Sequence, residues 1–331
     1  MGRSMPHAPL RIAFLGCGFI TRVHSRNLRS LRPDISCSYA SRDRARAEEL
    51  CRRYGGVGSY RQYADAIDDP RVDAVVVAVP PRFHLDLTLR ALQAGKHVVV
   101  EKPAFLRMED YERAVGARDR ANRVVLVGEN DHYKPLAVRL RALLAQGVIG
   151  DMVFGHFSSI VKRLKRADDW RNDETMAGGD AFFEEGIHWL HLASSLGPRI
   201  VAIQGYRPAV SREGPDRRAK SMMVAFRYDN DAVGALYYSR EIPSLLRGVR
   251  LSKLYGRRGI ITFESNGIFV LVRGSGLPRL IVPGFGDIRG YKAMYRDFLG
   301  AIRTGRPPEM SLERAMEDQR LMDQIYATVH A

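Results

Sequence analysis

Short apolar runs alternate with amphipathic stretches over residues 1–130. The apolar runs lie at residues 10–15, 35–40, 74–79, 97–100 and 124–127. Apolar positions at helical spacing occupy residues 21–30, 44–54, 83–94 and 108–121. Continuous Val-rich runs, such as the one at 74–79, are typical of parallel strands that are covered on both faces. Strand and helix in strict alternation therefore predict an α/β fold with a doubly wound parallel sheet.

The pattern changes after residue 130. Seven apolar runs follow, and several alternate apolar and polar positions, as Met222, Val224 and Phe226 do; they lie at 152–161, 200–206, 221–228, 232–239, 249–255, 260–264 and 268–272. Such alternation is typical of an antiparallel sheet with one covered face. Helical patterns occupy 136–146, 182–196, 291–304 and 312–329. We therefore expect a second, α+β domain at 131–331 with a large, mostly antiparallel open sheet, and its last helix could return to the first domain.

The first strand leads directly into a glycine-rich turn, Gly-Cys-Gly-Phe-Ile-Thr at residues 16–21. In the fingerprint of Rossmann domains, the first glycine allows a tight turn and the second lets the backbone approach a pyrophosphate. Gly16 and Gly18 occupy these positions, and Phe19 and Ile20 follow at the start of the helix. Thr21 replaces the usual third small residue and could instead cap the helix. The turn therefore predicts an N-terminal Rossmann domain that binds a dinucleotide.

The end of the second strand bears on the choice between NAD and NADP. NAD enzymes usually place Asp or Glu there to bind the ribose 2′-hydroxyl. This chain has Ser41 and Arg42 instead, and Arg42 could pair with a 2′-phosphate through two parallel hydrogen bonds. Asp43 could still take the role of the acid. We favour NADP over NAD on this pattern.

The chain of 331 residues carries a net charge of +15. Its basic residues are dispersed, and no basic-aromatic repeat or nucleic-acid motif accompanies them. The charge therefore favours an anionic small molecule over nucleic acid. Three scattered cysteines do not form a disulfide framework or a zinc site. The first residues lack the apolar core of a secretory signal, and no run is long enough for a membrane span, so we expect a cytoplasmic protein.

Several motifs of the chain resemble those of the Gfo/Idh/MocA group, and they occur in the family's order. The group is named for glucose-fructose oxidoreductase and inositol dehydrogenase. The resemblance covers nearly the whole chain. Its motifs lie at 16–24 (GCGFITRVH), 79–84 (VPPRFH), 94–103 (AGKHVVVEKP), 178–188 (GGDAFFEEGIH) and 305–308 (GRPP). The most specific is the Ala-Gly-Lys-His-Val-Val-Val-Glu-Lys-Pro segment.

The resemblance implies a catalytic pair. Lys102 corresponds to the family's lysine beside the nicotinamide, and Glu101 would contact the cofactor or orient Lys102. His188 corresponds to the family's general acid or base. The family has Asp four residues before this histidine, whereas this chain has Glu184. Residues four apart share a helix face, so Glu184 could reach the same ligand, although its longer side chain puts the substrate in doubt. Glu185 is an alternative acid.

The resemblance also assigns ligand contacts. Pro80, His84 and Asn130 would join the cofactor site. Five residues are candidate substrate contacts: His132, Tyr133, Lys162, Trp170 and Arg171. Glu184, His188 and His191 have a spacing only loosely like that of a metal site and lack an evident fourth ligand, so we expect no metal.

The function implied by the resemblance is hydride transfer between NAD(P) and a secondary alcohol or ketone of a sugar, cyclic polyol or sugar derivative. A glycoside-cleaving enzyme that uses tightly bound NAD(P) transiently is the first alternative. A non-catalytic dinucleotide-binding sensor is the second. Family members pair subunits through the C-terminal sheet, so the resemblance also implies a homodimer or homotetramer.

Overall fold

The computed structural model describes residues 8–163, 169–208, 220–244, 248–274 and 276–329. Residues 1–7, which are most of the N-terminal stretch considered as a secretory signal, therefore lie outside the described residues. The chain divides into two compact units. The first contains the residues up to Gly128 together with Tyr291–Ala315. The second contains Glu129–Gly290 and the residues from Met316 onward.

The first unit is built on a parallel sheet of six strands, in the order β3-β2-β1-β4-β5-β6. Its strands are β1 (Leu10–Leu15), β2 (Ile35–Ala40), β3 (Gly58–Tyr60), β4 (Ala74–Val77), β5 (His97–Val100) and β6 (Val125–Val127). The helices within this unit are α1 (Phe19–Leu28), α2 (Arg44–Tyr54), α3 (Tyr63–Asp68), α4 (His84–Gln93), α5 (Met108–Ala121) and α9 (Tyr291–Thr304). The predicted doubly wound parallel sheet is confirmed.

The centre of this sheet explains the Val-rich runs. All four residues of β4 are buried, because helices cover both faces of the central strands. β1 pairs with β2 on one side and with β4 on the other, so the strand order reverses at β1. In open α/β sheets, ligands bind beyond the carboxyl ends of the strands at such a reversal. The turn at residues 16–21 follows β1 directly.

Helix α9 belongs to the first unit, although the sequence pattern groups it with residues 131–331. Its Tyr295 is fully buried, and the Tyr295 hydroxyl lies 2.7 Å from Nδ1 of His24 in α1. This long-range contact has no signature in the local pattern of either helix. Helix α10 (Leu312–Val329) begins in the first unit and counts with the second from Met316 onward.

The second unit contains an eight-stranded sheet in the order β14-β13-β12-β11-β7-β10-β9-β8. Among the described strands of this sheet, only β7 and β10 are parallel neighbours, so the predicted, mostly antiparallel sheet is confirmed. The strands are β7 (Met152–Ile160), β8 (Ile200–Tyr206), β9 (Ser221–Tyr228), β10 (Val233–Ser239), β11 (Leu251–Gly256), β12 (Gly259–Glu264), β13 (Val270–Arg273) and β14 (Arg279–Ile281). The helices are α6 (Pro135–Ala145), α7 (Glu174–Ala177) and α8 (Ile187–Ser194), besides α10.

The two faces of the second sheet differ. On one face the tyrosine hydroxyls of Tyr228 and Tyr238 donate to backbone carbonyls of the segment that contains α8, which lies over that face. On the other face, Phe154, Val233 and Tyr255 are neighbours in register and are exposed by 54%, 40% and 37%. A row of exposed apolar side chains across three strands is larger than the scattered apolar residues of an ordinary surface.

The described residues contain elements that the sequence pattern did not predict. β3, β14, α3 and α7 are three to six residues long, too short to give a periodic signal. The predicted helix at 182–196 is divided, because Phe182–Gly186 is a π-helical turn that continues into α8. No helix in the described part of the chain combines the length and the apolar character that a membrane crossing requires.

Candidate active site

The turn after β1 has the geometry that a pyrophosphate site requires. Gly16 has φ +111°, and a Cβ there would lie 2.4 Å from the carbonyl oxygen of Ala78. At Gly18, which caps α1, no described atom lies within 4 Å of the place a Cβ would take. Phe19 and Ile20 form the first positions of α1, where backbone N–H groups have no partner within the helix. The open space and these N–H groups fit the phosphates of a dinucleotide.

Thr21 does not cap the helix, contrary to one expectation. It lies inside α1 and is fully buried, and its hydroxyl donates to the carbonyl oxygen of Gly16 at 2.8 Å. Gly18 takes the capping position because α1 begins at Phe19, two residues earlier than the apolar pattern indicates. Thr21 therefore links α1 to the preceding turn through a buried hydrogen bond.

Ser41, Arg42 and Asp43 follow β2. Asp43 caps α2 by accepting from the backbone N–H of Arg46, and its carboxylate also pairs with the Arg46 guanidinium at 3.1 Å. The Ser41 hydroxyl accepts from the backbone N–H of Asp43 at 3.1 Å. Asp43 could have bound the ribose in place of the missing acid, but its carboxylate caps α2. Arg42 is exposed.

Glu101 and Lys102 follow the end of β5. Oε1 of the buried Glu101 lies 2.7 Å from Nε2 of His24, whose other ring nitrogen contacts the Tyr295 hydroxyl. This chain of contacts fixes the strand end that carries Lys102. Lys102 is half-buried, and the Lys102–Pro103 peptide is cis.

His84 is buried inside the first unit. Its Nδ1 lies 3.0 Å from the carbonyl oxygen of Pro103, and its Nε2 lies 2.8 Å from that of Val79. Burial lowers the pKa of His84. The ring therefore ties the segment after Lys102 to the end of β4, and both of its nitrogens have backbone partners. Pro80, next to Val79, is half-buried and starts a short 3₁₀ turn.

Glu184 lies with two of the predicted substrate contacts. It is in the π-helical turn Phe182–Gly186, and its Oε1 accepts from Nε of Arg171 at 3.2 Å. The Arg171 guanidinium lies over the Trp170 ring, 4.4 Å from its centroid. The wider π turn changes the simple four-residue relation to His188 on which the sequence argument relied. Such turns are frequent at functional sites.

Asp180 anchors the beginning of this segment and was not identified from the sequence. Its Oδ1 accepts from the backbone N–H groups of Phe182 and Phe183 at 2.9 and 3.1 Å. The Arg207 guanidinium donates to Oδ2 at 2.8 Å, and the Tyr326 hydroxyl also donates to this carboxylate. An aspartate between two glycines and an apolar stretch is a helix-start signal that could have found it.

His188 is oriented by a buried carboxylate. Its Nδ1 lies 2.7 Å from Oε1 of Glu129, which also accepts from the backbone N–H of Asp131 at 3.0 Å. Burial alone would raise the pKa of Glu129, but the charge and hydrogen bond of His188 outweigh it, and the pKa is lowered. An ionised carboxylate can only accept a hydrogen bond, so the Nδ1 that faces Glu129 carries a hydrogen. When the His188 ring is neutral, its lone pair is therefore on Nε2, where it can act as a base. The sequence argument named the segment of Glu129 without giving this residue a role.

The next cluster contains two histidines, His132 and His191, and the carboxylate of Asp318. Nδ1 of His132 lies 3.0 Å from Nε2 of His191, and Nδ1 of His191 lies 2.7 Å from the Asp318 carboxylate. The Tyr133 ring meets the His132 ring edge-on, 5.1 Å between centroids. All four residues are buried. His191 is thus packed in the interior of the second unit, and a carboxylate of α10 fixes it.

Two other predicted contacts are Asn130 and Lys162. Asn130 is buried, and its side-chain nitrogen donates to the carbonyl oxygen of Arg289 at 2.7 Å and to Asp131 at 3.0 Å. This amide is therefore tied within the second unit. Lys162 is exposed and precedes residues 164–168, which lie outside the described parts of the chain.

One acidic cluster has the spacing of metal ligands among the described residues. Donor atoms of Glu129, Asp131 and His188 lie within 4.8 Å of one another. Their closeness has another explanation, because Glu129 bonds His188 and the Asp131 carboxylate pairs with Lys134 at 2.6 Å. It differs from the set of Glu184, His188 and His191, which the sequence analysis considered and rejected as a metal site.

Comparisons with known proteins match both units. The GFO/IDH/MocA family model, described as an oxidoreductase family with an NAD-binding Rossmann fold, matches residues 10–129. The model of the GFO/IDH/MocA C-terminal domain matches residues 137–262. The two matches follow one another in the order of the two predicted domains.

Two curated relatives and one solved structure extend over most of the chain. Levoglucosan dehydrogenase of Pseudarthrobacter phenanthrenivorans is 24% identical over 86% of this chain and 80% of its own. Myo-inositol 2-dehydrogenase of Thermotoga maritima is 23% identical over 92% of this chain and 91% of its own. A levoglucosan dehydrogenase solved with NADH and levoglucosan has a TM-score of 0.86 at 20% identity, with 98% of each chain covered. The chain therefore belongs to the GFO/IDH/MocA family of NAD-binding oxidoreductases.

Proposed function

We propose that the chain is a dehydrogenase that acts on a secondary alcohol, or the corresponding ketone, of a sugar, cyclic polyol or sugar derivative. When bound, the nicotinamide supplies the hydride acceptor or donor. The names of the two relatives, which refer to levoglucosan and myo-inositol, support a polyhydroxylated substrate.

The pair of His188 and Glu129 carries this proposal. Among the described residues, no hydrogen bond engages Nε2 of His188, while Nδ1 is held by Glu129. A histidine oriented in this way can take the hydroxyl proton of an alcohol at Nε2 and return it in the reverse reaction. Proton transfer by a placed side chain contributes roughly 10²- to 10⁴-fold to a rate.

Lys102 is proposed to polarise and position the substrate oxygen. Lysine suits this role because its ammonium group donates hydrogen bonds and its charge stabilises developing negative charge on an oxygen. Glu101, through His24, keeps the end of β5 in place. In this proposal His84 supports the same segment from within the protein rather than through the cofactor.

Glu184, Arg171 and Trp170 are proposed to bind the substrate. Their mutual contacts form a polar and aromatic surface, which suits hydroxyl groups and the apolar face of a sugar ring. His132 and Tyr133 would support His188 from behind rather than contact the substrate, since both are buried.

NADP is the proposed cofactor. Asp43 caps α2, while Arg42 is exposed and follows the strand that ends beside the turn. Arg42 would pair with a 2′-phosphate, and residue 41 is Ser rather than an acid that would repel the phosphate. The solved relative's NADH belongs to that protein and does not decide the question here.

The experiment that tests the function is a screen of sugars and cyclic polyols with NADP⁺ and NAD⁺, followed by absorbance at 340 nm. We expect net reduction of the cofactor by at least one polyol and a loss of orders of magnitude in Lys102→Ala. Near-normal turnover in that variant would overturn the role of Lys102. Glycoside cleavage without net reduction would favour the transient-oxidation alternative. Cofactor binding without any turnover would favour the sensor.

The assembly is proposed to be a homodimer or homotetramer that buries the exposed face of the second sheet. The row of Phe154, Val233 and Tyr255 supports it, because an apolar row of this kind is favourable only when covered. A C2 interface needs a single self-complementary patch, which an open sheet face can supply.

A further inference from the structure

Arg250 is a buried cation that the function proposed above does not use. It precedes β11 in the second unit, and 8% of the residue is exposed. Its Nε is sealed from solvent and, within the described parts of the chain, has no hydrogen-bond partner. Among the described residues, no carboxylate forms an ion pair with its guanidinium and no acceptor receives a hydrogen bond from it. A buried guanidinium without a counter-ion is costly, so such groups are normally paired.

Among the carboxylates whose charges act on Arg250, Glu264 has the largest effect. Its two oxygens already accept hydrogen bonds from other groups. Its Oε1 accepts from the backbone N–H of Arg250 and from the side-chain amide of Asn266. Its Oε2 accepts from the backbone N–H groups of Asn266 and Ile268. Glu264 therefore closes the turn after β12 and does not pair with the Arg250 head.

The other two carboxylates whose charges act on Arg250 are Glu185 and Asp131. Glu185 accepts from the Arg163 guanidinium at 3.3 Å and from the Tyr238 hydroxyl at 3.1 Å. Asp131 pairs with Lys134 at 2.6 Å. Each of these anions has its own cation, so Arg250 is left without one.

Trp189 is the aromatic contact of the Arg250 head. The guanidinium lies over the indole ring, 5.1 Å from its centroid. Stacking uses the face of the guanidinium and leaves the N–H donors at its edge available. Trp189 directly follows His188 in α8, and Asp131 donates its backbone N–H to the carboxylate that orients His188. The charge of Asp131 acts on Arg250, and a donor atom of Asp131 lies within 4.8 Å of one of His188, so Asp131 links Arg250 to the surroundings of the group that is proposed to move the proton.

We propose that Arg250 binds an anionic group, a carboxylate or a phosphate, that the substrate carries. Its planar fork of donors matches both groups through two parallel hydrogen bonds. This inference rests on the proposed sugar dehydrogenase and narrows its substrates to acidic or phosphorylated sugars.

The test compares three probes with the same hexose ring: D-glucuronate, D-glucose 6-phosphate and neutral D-glucose. Their binding to the NADPH-saturated protein is measured by isothermal titration calorimetry at fixed salt. The variants are Arg250→Gln and, as the matched control, Arg227→Gln, which removes an arginine of the same sheet whose side chain is 56% exposed. We expect at least one anionic probe to bind roughly tenfold or more tightly than D-glucose to the wild type and the control. In Arg250→Gln that preference disappears.

Equal binding of all three probes to the wild type, or a preference that survives in Arg250→Gln, overturns the inference. The tighter of the two anionic probes identifies carboxylate or phosphate. Thermal melts without ligand give a second readout, since Arg250→Met removes an unpaired charge and is expected to melt no lower than the wild type. A fall of many degrees means that Arg250 serves the fold and overturns the inference.

Turnover is scored separately from binding. If no sugar reduces NADP⁺ but binding of the anionic probe still depends on Arg250, the proposed function fails and the anion site stands. If neutral polyols are oxidised and no anion is preferred, the dehydrogenase stands and the anion site fails.

Discussion

At the scale of single residues, the account depends on how His188 is held. A neutral imidazole has one N–H and one lone pair, and the partner of the N–H decides which nitrogen can act as a base. Glu129 fixes this choice, because its buried carboxylate can only accept at 2.7 Å from Nδ1. Replacing the carboxylate by an amide removes the charge and allows the ring to turn or to change tautomer.

We therefore expect Glu129→Gln to lower kcat by about 10²- to 10⁴-fold, in line with the loss of an orienting carboxylate or of general-base catalysis. The Kd for NADPH should change little. Steady-state kinetics on the best substrate of the screen and a fluorescence titration measure the two effects. The matched control is Asp318→Asn, which alters the other carboxylate-bound histidine, His191. A similar loss of kcat in both variants would contradict a specific role for Glu129.

At the residue scale, the sequence assigns roles where a motif spans several positions. Lys102 and His188 were assigned from such motifs, and their roles stay predictions. Glu129 acts through His188, which is distant in the chain, so no local pattern reveals it. Asp180 has a local helix-start signal, but its contact with Arg207 is long-range and has none. Arg250 is a similar case, because only burial shows that it lacks a counter-ion.

At the scale of secondary-structure elements, the turn between β1 and α1 allows a matched pair of substitutions. Gly16→Ala forces an L side chain to φ +111° and drives its Cβ to 2.4 Å from a backbone oxygen. We expect a loss of about 2 kcal/mol or more in the free energy of unfolding. Gly18→Ala places its Cβ in open space at φ −84°, so stability should change by less than about 0.5 kcal/mol.

The same pair separates folding from cofactor binding. The Gly18→Ala methyl group occupies the space left for the pyrophosphate, so we expect the Kd for NADPH to rise by roughly tenfold or more. Thermal melts and a fluorescence titration of both variants give the two readouts. Unchanged NADPH binding in Gly18→Ala would contradict the placement of the pyrophosphate at this turn.

The β5–β6 region makes a prediction about pH. His97 in β5 accepts from the backbone N–H of Val124 at 3.0 Å, and burial, aided by the charge of Arg123, lowers its pKa to about 4. In the unfolded chain its pKa is near 6.5. Between these values the unfolded state binds more protons, so stability is lost as the pH falls from about 6.5 to about 4.

We expect this group to contribute a loss of order 1 kcal/mol per pH unit in that window, less where solvent screens the partly exposed ring. Melts of the wild type and His97→Gln between pH 7.5 and 4.5 measure it. The variant should show a shallower fall in Tm. Parallel curves would contradict a buried, neutral His97.

Element-scale prediction succeeded for strands and helices with a strong period. The bounds of β1, β2, α2, α5 and α9 agree with those expected, because each has a continuous apolar run or stripe that tertiary packing uses without alteration. Asp180 gives a local signal for a helix start, but the π-helical geometry of Phe182–Gly186 was not predicted. Arg207 and Tyr326, which hold Asp180, come from distant parts of the chain. Short edge strands such as β14 carry too few residues for a periodic signal.

At the scale of the whole molecule, the exposed row of the second sheet predicts self-association. Phe154→Lys places a charge in the middle of the row, and Val57→Lys, at a site 72% exposed in the first unit, is the matched control. We expect the wild type and the control to be dimers or larger by size-exclusion chromatography with light scattering. Phe154→Lys should have a lower mass. A monomeric wild type, or an unchanged mass in Phe154→Lys, would contradict the proposed interface.

The charge of the whole chain was interpreted from composition as an affinity for an anionic small molecule. We propose Arg42 and Arg250 as specific locations for that interaction. Most described arginines with short contacts pair with carboxylates instead, as Arg11 does with Asp73 and Arg303 does with Asp34. Paired surface arginines contribute little to binding or stability. Composition cannot distinguish them from an unpaired one such as Arg250.

The most direct test of the central claim, a dinucleotide-dependent dehydrogenase, is a fluorescence titration of the purified chain with NADPH and NADH at fixed salt. Tightly held cofactor is first removed and checked by mass spectrometry. The account predicts saturable binding of NADPH, tighter by roughly tenfold or more than that of NADH because Arg42 and not an acid follows β2. Tighter binding of NADH would overturn the assignment of Arg42 and keep the dehydrogenase. Binding of neither would contradict the account as a whole.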